Sequence, residues 1–124
     1  MRFFFFILIL FATFSSSYSI SDDPNKLSGT WQVDLRPSPD SEPYLKDFEI
    51  TLADANSFNG KFYDTEFTGG RLNTSWSKIY FGFTTSDMSG IYFHSGYLDN
   101  DTLHGITYSE ERSFTMPWVG VRKK

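Results

Sequence analysis

Two histidines, His94 and His104, are the side chains best suited to metal or acid-base chemistry in this chain, and their spacing decides whether they can act together. They fall on neighbouring predicted strands joined at Asn100-Asp101, a dipeptide that suits the two-residue turn of a hairpin. In that register His94 lies opposite Thr107 and His104 opposite Tyr97, which sends the two rings to opposite faces of the sheet. A three-residue loop would bring them onto one face, yet a transition metal asks for three or four ligands and no third is at hand. A hydrogen-bonded or exposed role is expected for both, with no metal and no cofactor.

Nucleophilic catalysis finds no better footing. The chain has no Cys, no G-x-S-x-G elbow, and serines that fall mostly in turns. The carboxylate pairs Asp47 with Glu49 and Asp64 with Glu66 are spaced i to i+2, which on a strand places each pair on one face, as a solvated outer surface requires. The sequence therefore reads as that of a protein that is not an enzyme.

What distinguishes the chain is its aromatic load. Beyond residue 19 it carries eight Phe, six Tyr and three Trp in about 105 residues. Adjacent pairs such as Tyr80-Phe81 and Tyr92-Phe93 put rings on both faces of a sheet. Those facing inward either fill the interior or line a cup for a flat or apolar molecule, with Tyr hydroxyls and Trp N–H groups to orient it. Tyr63, Trp76, Tyr92 and Trp118 are the candidates for such a cup.

The elements that must position these rings are short. From Gly29 onward, β-branched and aromatic runs alternate with Gly, Asn, Asp and Ser clusters, and no ten-residue stretch has helical period. Strands are expected at 29–35, 45–53, 57–67, 70–74, 78–85, 90–98, 102–109 and 113–122, with one hairpin turning at Gly69-Gly70. Tight turns between successive strands make an antiparallel meander. The fold class is thus all-β, an eight-stranded up-and-down meander closed into a small barrel that leaves no free edge. One longer connection, PSPDSEP at 37–43, has three prolines and should run stiffly over one end, as a surface loop or as a lid. At the other end, 22–27 has room for a short plug. Pro117 lacks an amide proton, so the seam between the first and last strands is expected to be the loosest.

Closure would set the start of the first strand beside the end of the last, bringing Trp31 near Arg122. A guanidinium over the indole, with backbone carbonyls nearby, would seal the barrel floor. Gly29, Trp31 and Arg122 are accordingly expected to be structural.

The opening MRFFFFILILFATFSSSYS has one positive charge, an apolar run and then small residues, the pattern of a signal peptide over 1–19, with a single domain over 20–124. The apolar run is shorter than the roughly 20 residues of a membrane span, and no second run follows. A secreted or periplasmic location is expected. Without Arg2 there are ten Lys and Arg against fifteen Asp and Glu, so nucleic acid is not an expected partner.

Gly29-Thr30-Trp31 on the first strand, with Arg122 near the end of the last, resembles the signature of calycins, the lipocalin and avidin-like barrels. FEITLADANSFNGKF resembles the second hairpin of streptavidin-type proteins, and GRLNTSW resembles a late strand of that family, although here it falls mid-chain. GTWQVDLRP, FTGGRLNTSW, FTTSDMSG and a closing W-x-G-x-R also resemble an uncharacterised group of bacterial exported proteins. The resemblance implies a ligand-binding barrel but not one for biotin. Where avidin-like proteins present Asn, Tyr and Ser to that ligand, this chain has Val33, Phe62 and Asp64. The expected function is binding of a small apolar or aromatic molecule without catalysis; the alternative is a solid barrel acting through its outer surface.

Overall fold

In the computed structural model, which describes residues 22–124, eight antiparallel strands follow one another around a closed barrel. They are β1 (Gly29–Asp34), β2 (Leu45–Asp54), β3 (Ser57–Phe62), β4 (Thr65–Asn73), β5 (Ile79–Asp87), β6 (Gly90–Asp99), β7 (Thr102–Ser109) and β8 (Phe114–Arg122). Each pairs with its neighbour in sequence, and β8 closes on β1 with Trp31 opposite Arg122. The expected leader at 1–19 lies outside the described residues.

The third hairpin turns where no glycine stands. Tyr63 and Asp64 both take left-handed backbone conformations, with φ of 51° and 65°, and form the two-residue turn between β3 and β4. The expected turn at Gly69-Gly70 is instead an irregularity inside β4, where the β3–β4 register shifts between Phe58 and Gly60. Close packing explains the glycine: a Cβ on Gly70 would stand 2.7 Å from the Phe58 ring, so the strand can pass over that ring only without a side chain. Asp64 consequently lies on a turn, and the pairing of Asp64 with Glu66 on one strand face does not form.

Alternation supplies the core. Phe48, Phe67, Phe81, Phe83 and Trp118 point inward from four strands and pack ring to ring, with Phe67 and Phe83 stacked at 4.5 Å and Phe48 and Phe83 at 4.9 Å. Among the described residues, every ring of the hydrophobic core belongs to Phe or Trp and no Tyr is buried. This half of the barrel is solid, as eight strands permit.

The floor closes as the Trp31 position suggests. A 3-10 turn, Pro24–Leu27, capped by the Asp23 side chain, inserts Leu27 beneath the core. Trp31 Nε1 donates to the Leu27 carbonyl at 2.9 Å, and the Arg122 guanidinium lies 4.1 Å from the indole centroid. Arg122 also donates to the carbonyl of Ser28 at 2.6 Å and to that of Lys26. Gly29, at φ +121°, leaves room for it: a Cβ there would meet Arg122 Nη1 at 2.9 Å.

Candidate ligand-binding site

At the end opposite this floor the barrel opens. The connections 35–44, 63–64, 88–89 and 110–113 surround the mouth. Beneath them lies a cavity of about 710 Å³, lined by Leu35, Pro37, Phe62, Phe114 and Met116 among apolar residues and by Tyr44, Tyr63, Tyr92 and Arg112 at the rim.

The deepest polar group is His94. It points inward from β6, is 4% exposed, and stacks on Phe83 at 4.4 Å between ring centroids. Its Nε2 shares a hydrogen bond with Thr85 Oγ1 and its Nδ1 with Thr107 Oγ1, each at 2.8 Å. Thr107 Oγ1 also accepts from Trp118 Nε1 at 2.9 Å. A neutral imidazole donates from one nitrogen and accepts at the other, so both threonine hydroxyls match it without a proton to spare. Burial among rings pushes its pKa down to about 4. As the register predicted, His94 faces Thr107 while His104 faces Tyr97, on the outside, where the two rings stack at 5.0 Å. Among the described residues no three His, Cys, Asp or Glu side chains gather as a metal site would require.

The rim is held by side chains that bond each other. Tyr44 and Tyr63 hydroxyls are hydrogen-bonded, their rings meet edge to face at 5.7 Å, and Lys46 Nζ lies over both at 5.3 and 4.9 Å. The bond to Tyr44, with partial burial, raises the Tyr63 pKa and keeps it a neutral phenol. Across the mouth Arg112 Nη1 donates to the Tyr92 hydroxyl at 3.1 Å and its guanidinium sits 5.4 Å from the Phe114 ring.

The proline-rich connection stands at this end and contributes Pro37 and Leu35 to the wall. Its base is fastened by Asp34, whose carboxylate accepts from Arg36 Nη2 at 2.6 Å and from the Tyr44 amide at 3.1 Å. The Arg36 bond, foremost, holds the Asp34 pKa below the ordinary carboxylate value. Ser38 and Ser41 bond one another across the bend at 2.9 Å.

On one side the wall is incomplete. The β4–β5 ladder has only three residue pairs, ending at Arg71 opposite Gly82 near the closed end. Beyond it Thr65 on β4 and Thr85 and Asp87 on β5 flank the cavity. That ladder, not the four-pair seam of β1 with β8, is the shortest in the barrel.

Of the four residues expected to line a cup, the structure brings Tyr63 and Tyr92 to the rim and buries Trp118 beneath it, joined to the cavity wall through Thr107. Trp76 does not belong to it. It lies in the 74–78 connection at the closed end and is 67% exposed, because the Asn73 side chain caps a turn by accepting from the Ser75 amide at 2.8 Å. Thr85, Thr107 and Arg112 are cavity residues that the sequence alone did not single out, and His94, singled out for its chemistry, was not expected to line a cup; its even spacing from Tyr92 was the available signal.

No protein-family model matches the chain, and comparison with curated proteins and with solved structures finds no match either.

Proposed function

We propose that this chain is an exported, calycin-like barrel whose open end binds a small apolar or aromatic molecule without chemical change. The observation that carries this reading is the cavity of about 710 Å³ walled by rings and aliphatic groups, a size in the usual range for small-molecule sites. Its deep polar groups are satisfied by one another, and no buried side-chain nitrogen or oxygen among the described residues lacks a partner. An incoming molecule therefore meets an apolar interior and finds hydrogen-bonding capacity toward the mouth, at the rim hydroxyls, Arg112 and Asp87. That arrangement selects an apolar body with at most one polar end. A histidine with its pKa near 4 and both nitrogens engaged is a poor general base at neutral pH, which favours binding over catalysis.

The test is a titration of folded protein with an environment-sensitive apolar dye, with a thermal melt alongside. About one dye should bind per chain, Trp emission should shift, since Trp118 lies under the cavity, and the melting temperature should rise. Tyr92→Ala and Phe114→Ala should weaken uptake, while Trp76→Ala at the far end should not. Uptake only on unfolding would overturn the reading. A second reading, a module acting through its outer surface, is favoured by the uncharged aromatic exterior of β5 to β8.

A further inference from the structure

The outer surface of the barrel is divided. On β2 to β4 the outward positions include Asp47, Glu49, Lys61, Glu66 and Arg71, and Lys123 pairs with Asp47 at 2.9 Å. On β5 to β8 the registers align three successive outward rows. Tyr80, Tyr97, His104 and Val119 lie side by side across the four strands. Ser95, Ile106 and Pro117 form the next row, and Thr84, Phe93, Tyr108 and Thr115 the third. None of these rows holds an Asp, Glu, Lys or Arg. Phe93, Ile106, Tyr108 and Val119 are each more than two-fifths exposed.

We propose that this face is a self-association surface, on which a second copy of the chain packs sheet to sheet across a two-fold axis. Three observations select that occupant. First, residues 22–124 carry five more acidic than basic side chains, so copies meeting elsewhere juxtapose like charges, whereas the three rows hold none and only Lys78, 5.9 Å from the Tyr97 ring, stands at their edge. One lysine at the edge is too little charge to hold the face to an anionic membrane. Second, aromatic and β-branched residues with Lys, Glu and Asp absent are the composition of an interface core. Third, the area is of the right order. Three outward rows span about six residues at about 3.3 Å on four strands about 4.8 Å apart, roughly 380 Å² of backbone surface, and standing side chains bring the accessible area toward the about 600 Å² per partner of the smaller specific interfaces. A closed barrel offers no free strand edge, so pairing through the face is the route left. In an isologous contact every row meets the same patch on the other copy.

Sedimentation of the purified protein over a range from low micromolar to about a hundred micromolar tests this. Wild type should sediment at twice the chain mass. Ile106→Glu and Phe93→Glu, each placing like charges in both halves of the contact, should weaken the dimer at least about tenfold, and Thr51→Glu on the opposite face should not. The chain has no Cys, so Ile106→Cys and Thr51→Cys supply a second readout that does not depend on a charged variant folding. A bismaleimide should cross-link the former at low protein concentration and leave the latter monomeric. A wild-type monomer throughout the range, or a dimer indifferent to both Glu variants, overturns the proposal. So does a monomer that floats with neutral phosphatidylcholine vesicles, which would give the face to a lipid surface instead.

Discussion

Each end of the barrel sets an arginine against an aromatic ring, and the two pairs behave differently. At the floor, Arg122 lies 4.1 Å from a fully buried Trp31 and anchors itself on the main-chain carbonyls of Ser28 and Lys26. At the mouth, Arg112 lies 5.4 Å from a partly exposed Phe114 and bonds a side-chain hydroxyl, that of Tyr92. A guanidinium tied to backbone locks the two chain ends together; one tied to a side chain can exchange that partner for a ligand. The same chemistry serves closure where rings are in contact on all sides and, under the proposed function, would serve recognition where they stand around a void.

That contrast is most sharply tested by truncation. Trp31→Ala should destabilise by about 3 to 5 kcal/mol, because a large ring leaves a cavity that surrounding strands cannot collapse into. Phe114→Ala at the rim, where solvent already reaches, should cost about 1 kcal/mol or less. Arg122→Ala should fall between them and couple to Trp31→Ala by about 0.5 to 2 kcal/mol in a double-mutant cycle. Denaturant melts measure all three, and equal losses at floor and rim would erase the distinction.

The boundary between the halves is His94, and pH reads it. Its folded pKa of about 4 is below the ordinary 6.5, so as pH falls the unfolded chain takes the proton first. Stability should be unaffected by this group above pH 6.5, decline as pH drops toward 4, and level off below, for a total of about 3 kcal/mol. His94→Gln should lack that decline when its melts are compared with wild type across the same window, since the carboxylates titrate in both. An unchanged slope would mean the imidazole takes up protons freely in the fold.

The smallest effect is local. Alternate amides of β4 and β5 beyond the Arg71 to Gly82 pair have no ladder partner between these strands. They should exchange faster than the β1–β8 seam, whose four pairs begin two residues past Pro117. Ligand bound at the mouth should slow them. Faster exchange at β1 and β8 would place the weak wall beside the proline instead.

Much of the floor was legible in the text of the chain. Gly29-Thr30-Trp31 and Arg122 meet because a meander of eight strands that closes must set its two ends antiparallel, and period two then fixes which side chains share a face. The opposite placement of His94 and His104 followed from one turn, Asn100-Asp101, whose φ values of 50° and 63° are those such a dipeptide favours. Where turn chemistry was ambiguous, reading failed. Tyr63-Asp64 carries no glycine, and the glycines that suggested a hairpin serve to pass over Phe58. Trp76 was expected among the rings of the cup, yet the Asn73 side chain accepts from the Ser75 amide and turns the chain away from the ladder before the indole is reached.

Strand number, pairing order and the facing of most residues were therefore set by local pattern: alternation and turn preference act over a few residues and need no knowledge of the rest. Whether inward rings fill the barrel or stand around a space is a different kind of quantity. It depends on how volumes contributed by strands far apart in sequence add up at one height along the axis, and period two is the same in both cases. The tertiary structure decided it twice over, packing Phe48, Phe67, Phe81, Phe83 and Trp118 solid above the floor and setting Tyr63, Tyr92 and Phe114 around a space at the mouth.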